Sequence, residues 1–167
     1  MNKTISCGYN HIVVITSEGK IVCWGVNYYE QCNVPENLEN VIWISCGESH
    51  NSALTSEGKV ICWGNNDYNQ CDIHEDLENV IQIFSSSHHT SALTSEEKVI
   101  CWGDNLSRQC DVPIDLENVV EISCGGFHTA ALTYEGRVVC WGKNNEKQCD
   151  IPEGLIASIN INNLQLW

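Results

Sequence analysis

Cysteine, histidine and tryptophan are the residues here with the most distinctive chemistry, and each recurs on a fixed spacing. Four Cys-x8-Cys pairs, Cys23/Cys32, Cys62/Cys71, Cys101/Cys110 and Cys140/Cys149, stand 39 residues apart. A further series, Cys7, Cys46 and Cys124, is completed by Ser85. Paired thiols can hold zinc, form disulfides or pack as small core side chains. Zinc sites use Cys-x2–4-Cys spacing, and no His stands close enough to complete a tight knuckle. A disulfide framework goes with an even cysteine count in a short secreted chain, whereas this chain has 11 cysteines. Reduced core thiols are therefore the expectation, with no metal and no cofactor.

His11, His50, His89 and His128 occupy one repeat position, and Trp24, Trp63, Trp102 and Trp141 another. Catalysis needs unlike groups converging on one point, and a series of identical His supplies no nucleophile, base and orienter. Such a series reads as a recurring structural hydrogen bond. There is no Gly-rich phosphate loop and no nucleophile setting around a Ser or Cys, and the Glu75-Asp76 pair lies in a polar connection. The chain is not expected to be an enzyme.

These residues sit in a unit that must position them. Its skeleton is Cys-Trp-Gly-x-Asn-x-x-x-Gln-Cys, which occurs four times without slippage. A strict period of this length is the signature of a repeat architecture. In the second unit, Val41–Ser45 is β-branched and aromatic and reads as a strand. Cys46–His50 is a tight link, Asn51–Thr55 a second strand, Ser56–Lys59 a hairpin turn and Val60–Trp63 a third strand. A fourth strand at Gln70–Ile73 is an added expectation. No amphipathic helical pattern occurs. The fold class is thus all-β: a β-propeller-type array of four 39-residue blades of three or four short antiparallel strands. Residues 1–167 form one repeat domain, with repeats near 2–40, 41–79, 80–118 and 119–157, the first strand of the first repeat expected at Met1–Ile5 and a fifth strand begun at 158–161.

Gly8-x-x-His11, Gly47-x-x-His50 and Gly125-x-x-His128, the Ala-Leu-Thr-(Ser/Tyr)-Glu-Gly turn and the Cys-Trp-Gly-x-Asn-x-x-x-Gln segment resemble the repeats of the regulator of chromosome condensation family. The short period is similar to that of the type II beta-lactamase inhibitor protein. Departures are Glu97 for the turn Gly, Ser86 for the Gly of Gly-x-x-His, and Glu30, Asn69, Arg108 and Lys147 where the family has a Gly before the motif Gln. A non-Gly residue at a positive φ costs about 1 kcal/mol, so blade three is expected to be the weakest. The family includes a plant ultraviolet-B photoreceptor that uses Trp clustered with Arg. Arg here is limited to Arg108 and Arg137, and the four Trp read as packing between blades. The family's rings usually have seven blades, roughly 273 residues at a 39-residue period. Four repeats are therefore expected to form an open arc or partial propeller, with end blades that invite a second copy or a partner.

What the resemblance implies is a non-enzymatic protein–protein interaction module. Guanine-nucleotide exchange on a Ran-like small GTPase is an alternative, though the family's exchange activity goes with a full ring and specific insertions. A third reading is a fragment of a longer propeller without independent function. The net charge of −14, from 22 acidic and 8 basic residues, disfavours nucleic acid and anionic membrane and favours a protein partner with a basic surface. Residues Met1–Cys7 show no apolar h-region, so an intracellular location is expected, cytoplasm and nucleus being undistinguished.

Strand direction puts the Gly-x-x-His links and the Asn-x-x-x-Gln loops at one end, here the upper face. Their inserts differ between repeats, and variable loops on a rigid frame are where binding concentrates. The candidate partner-binding residues are Tyr9, Tyr28, Tyr29, Glu48, Asp67, Tyr68, His88, Leu106, Arg108 and Phe127.

Overall fold

A computed structural model describes residues 3–75 and 77–159. Each repeat forms one three-stranded antiparallel meander. Sheet one holds β1 (Ile5–Cys7), β2 (His11–Ile15) and β3 (Ile21–Gly25); sheet two holds β4 (Val41–Cys46), β5 (His50–Thr55) and β6 (Val60–Gly64). Sheet three holds β7 (Val80–Ser85), β8 (His89–Thr94) and β9 (Val99–Gly103); sheet four holds β10 (Val119–Cys124), β11 (His128–Thr133) and β12 (Val138–Gly142). The hairpin turns take positive φ at Gly19, Gly58 and Gly136, and Glu97 is held at 64° in the same place. Glu30, Asn69, Arg108 and Lys147 likewise lie at 60–62°.

Three expectations are corrected. Gln70–Ile73 is a turn and not a fourth strand, because Gln70 is drawn inward and fully buried. The first strand is Ile5–Cys7 and not Met1–Ile5; Lys3 makes only an isolated bridge to Trp43, and Met1 and Asn2 lie outside the described residues. Of the fifth strand, Ser158 and Ile159 are not in strand conformation, and Asn160 and Ile161 lie outside the described residues.

A three-stranded sheet cannot cover both of its faces, so the apolar residues cluster between sheets. Ile44, Val41 and Trp63 pack with Val13 between sheets one and two. Ile83, Val80 and Trp102 pack with Leu54 between two and three, and Ile122, Val119 and Trp141 with Leu93 between three and four. The pattern lapses where a neighbour is missing: Ile5, the counterpart of Ile44, is 58% exposed, and Trp24 is 49% exposed. The expectation that all four Trp pack between blades therefore fails for Trp24. Among the described residues the four sheets pack in sequence and form an open arc, not a closed ring.

A polar joint accompanies each apolar one. The backbone carbonyl of Gln70 accepts from Trp102 Nε1 at 3.0 Å and from Thr90 Oγ1 at 3.0 Å, both in the next sheet. Gln109 accepts from Trp141 and Thr129, each at 2.9 Å. Gln31 accepts from Trp63 at 3.0 Å and from Asn51 Nδ2 at 2.7 Å. The Thr or Asn then receives the His of the preceding sheet: His11 to Asn51 Oδ1 at 2.7 Å, His50 to Thr90 at 3.0 Å and His89 to Thr129 at 3.0 Å. The Thr hydroxyl has one proton, already given to Gln, so Nε2 of His50 and His89 must donate. Burial disfavours the charged form of both rings, so with Nε2 protonated each is neutral and its Nδ1 is unprotonated. In sheet three Ser86 Oγ lies 2.6 Å from that Nδ1 of His89 and donates to it, whereas Nδ1 of His11 and of His50 has no partner. Ser86 thus supplies a bond where the other repeats have Gly, and Glu97 is the strained substitution that sets this blade apart from the other three.

Burial, aided by the neighbouring His residues, lowers the pKa of His50 to about 3; burial also lowers His89 to about 4. An unfolded His titrates near 6.5. The unfolded chain therefore binds more protons than the folded one below that pH. The stability these rings provide is fully present above about 6.5 and is lost as pH falls towards 4 and 3, by about 1.4 kcal/mol per pH unit per ring. Neutralising the acidic excess acts in the opposite sense. A urea midpoint that falls between pH 7.5 and pH 5.0, and falls less in His50→Gln, is the expected result. Thr90→Val orphans the His50 N–H and is expected to cost about 1–3 kcal/mol in urea unfolding. Glu97→Gly relieves the positive φ and is expected to add about 1 kcal/mol, seen as slower amide hydrogen exchange confined to sheet three.

Candidate partner-binding face

The strand register sets which loops share a face. His50 pairs with Gly64 and Leu54 with Val60, so the Gly-x-x-His link and the Asn-x-x-x-Gln loop emerge at one end and the hairpin turn at the other. His11 with Gly25, His89 with Gly103 and His128 with Gly142 repeat the arrangement.

The Asn loop is held by its own side chains. Asn66 Oδ1 accepts from Cys71 N at 2.8 Å and Gln70 Oε1 from Tyr68 N at 2.9 Å. The same pair of bonds recurs at Asn27/Gln31, Asn105/Gln109 and Asn144/Gln148. Because these bonds go to backbone groups, the three residues between Asn and Gln can vary without loss of the loop. Gln70 Nε2 also donates to Asn65 Oδ1 at 2.6 Å, and Gln109 Nε2 to Asp104 at 2.9 Å.

Five of the ten candidate residues come together across the top of the arc. Tyr68 and His88 lie with ring centroids 4.9 Å apart, and His88 and Phe127 6.5 Å apart. Glu48 stands 3.6 Å from His88 Nε2, and its backbone carbonyl receives the amide of Tyr9 at 3.3 Å. Tyr9 and Glu48 line a shallow depression of about 230 Å³ with Cys7, Gly47, Ser86 and Ser87. Tyr28 and Leu106 project furthest, at 89% and 88% exposure, and Tyr29, Asp67 and Arg108 are also exposed on the Asn loops. Among the described residues no hydrogen bond, ion pair or ring contact joins the side chains of these five to the central run, although Asp67 precedes Tyr68 in the chain.

Sequence reasoning missed Lys143, whose ammonium lies 5.4 Å from the Phe127 ring centroid. Lys143 is the x of Cys-Trp-Gly-x-Asn, filled elsewhere by Val26, Asn65 and Asp104. The variation itself was the available signal. Ser87, in the lining of the depression, was likewise passed over.

Comparison with known proteins agrees with this frame. No curated protein matches the chain. Among solved structures, Prp20p from Saccharomyces cerevisiae superposes with a TM-score of 0.73 at 23% identity, covering 90% of this chain and 45% of the other. Human WBSCR16 gives 0.73 at 18% identity, covering 95% and 53%. The CRINKLY WD40 ectodomain of the Arabidopsis thaliana receptor kinase ACR4 gives 0.68 at 22%, covering 83% and 51%. The chain thus spans about half the length of these structures, and the likeness is one of fold. The regulator of chromosome condensation (RCC1) repeat model matches residues 3–31, 41–70, 80–109 and 119–148. With four such repeats over most of its length, an unbroken period and blades of the matching fold, the chain belongs to the RCC1 repeat family.

Proposed function

We propose that the chain is a non-enzymatic protein-interaction module that takes its partner on the upper face. The observation that carries this reading is the run Tyr68–His88–Phe127, extended by Lys143 at the Phe127 end and joined at His88 by Glu48, which in turn meets Tyr9. It crosses all four sheets on loops that the scaffold leaves free to vary. Aromatic side chains in a contiguous patch are the usual anchors of protein interfaces. The yeast relative supports the same class of role, since its structure was described together with its binding to Gsp1p and histones. The charge of −14 favours a partner with a basic surface, found faster at low salt.

The test is affinity capture with the immobilised chain, the bound protein then being titrated against variants. Tyr68→Ala, His88→Ala and Phe127→Ala are each expected to weaken binding about 10-fold or more with little change in melting temperature. Tyr28→Ala and Leu106→Ala, outside the run, are expected to change it less. Affinity unchanged in all three central variants overturns the upper-face reading.

A further inference from the structure

The two thiols at the base of the first Asn loop already touch. Cys23 Sγ, on β3, lies 3.0 Å from Cys32 Sγ, where the loop ends. A disulfide needs a sulfur separation of about 2.0 Å, so closure asks for a movement of about 1 Å. Both groups are fixed where they stand. Cys32 N is held by Asn27 Oδ1 at 2.7 Å, its sulfur lies 3.4 Å from the carbonyl of Val26, and Cys23 Sγ lies 3.5 Å from the carbonyl of Gln31. In sheet four the sulfurs of Cys140 and Cys149 turn instead to the carbonyls of Gln148 and Lys143, at 3.9 Å and 3.7 Å. No sulfur–sulfur hydrogen bond joins Cys62 to Cys71 or Cys101 to Cys110 among the described residues, where Cys71 and Cys110 turn to the carbonyls of Asn65 and Asp104. All eleven cysteines are free in this structure.

We propose that Cys23–Cys32 is a reversible disulfide site, closed by thiol–disulfide exchange with a small-molecule disulfide. The Cys32 thiolate attacks one sulfur of the oxidant R–S–S–R, forming Cys32–S–S–R and releasing RS⁻. Cys23 then loses its proton to solvent and attacks Cys32 Sγ, expelling the second RS⁻. Two protein thiols are oxidised and one oxidant disulfide is reduced to two thiols. Burial, and then the hydrogen bond to Cys32, raises the Cys23 thiol well above its ordinary range. That leaves Cys23 the slower nucleophile, which acts second. The bridge encloses the loop that carries Tyr28, Tyr29 and the Gln31 carbonyl to which Trp63 donates. Oxidation thereby fixes one binding loop and the joint behind it.

The experiment incubates the full chain with oxidised or reduced glutathione, quenches in acid, alkylates free thiols and maps peptides by mass spectrometry. Two thiols per bridge are expected to disappear from the alkylation count under oxidation, with a Cys23–Cys32 linked peptide that reduction removes. Cys32→Ser is expected to leave Cys23 alkylatable or held as a glutathione adduct, and Cys7→Ser to leave the bridge unchanged. Equal alkylation of Cys23 and Cys32 under both conditions overturns the proposal. So does their recovery only as glutathione adducts or as bridges to other cysteines. The wild-type map alone decides, should Cys32→Ser fail to fold.

Discussion

Each joint between sheets closes on one backbone carbonyl. The carbonyls of Gln31, Gln70 and Gln109 each take two side-chain donors from the following sheet, one from Trp and one from Thr or Asn. The Gln side chains are fully buried, and each turns its amide oxygen back onto its own loop. One residue thus shapes the loop and presents the acceptor that the next blade needs. A buried N–H left without this acceptor costs about 1–3 kcal/mol. Trp63, Trp102 and Trp141 consequently serve twice, as apolar filling of the inter-sheet cores and as the donors that set blade spacing.

This division of labour explains how a highly regular chain can carry an irregular surface. The scaffold bonds of the Asn loop use backbone amides and the fixed Asn and Gln, so Tyr28, Tyr68, Leu106 and Asn145 can occupy equivalent places without disturbing it. The same holds at the Gly-x-x-His links, where the inserts include Tyr9, His88 and Phe127. The opposite end has little such freedom, because the turn residue must hold a positive φ in every repeat.

What could be read from the chain in advance depended on distance along it. Strands, turns and the loop roles of Asn and Gln rest on neighbours within ten residues, and the 39-residue period exposes them. The positive φ at Glu30, Asn69, Arg108 and Lys147 was legible as missing glycines. The partner of each His was not, because it lies 40 residues on at a position filled by Asn51, Thr90 and Thr129, which look like ordinary strand residues. Nor could the period show that Trp24 stands exposed while its three counterparts are buried, since that depends on which sheet has a neighbour. Of the candidate site, the participants were legible in part; that Tyr68, His88 and Phe127 meet, and that Lys143 joins them, needed the curvature that brings separate sheets together.

The joint has a direction. Sheets one to three each offer an acceptor carbonyl and a His donor forward along the chain, and sheets two to four each present Trp with Thr or Asn backward. Every internal junction therefore uses the same chemistry with the same polarity. An internal unit of 39 residues can be duplicated or deleted in register, and the two new neighbours meet through groups that already fit. Length in such an array is free to change by whole units, whereas an insertion of any other size inside a blade breaks a hook from its eye.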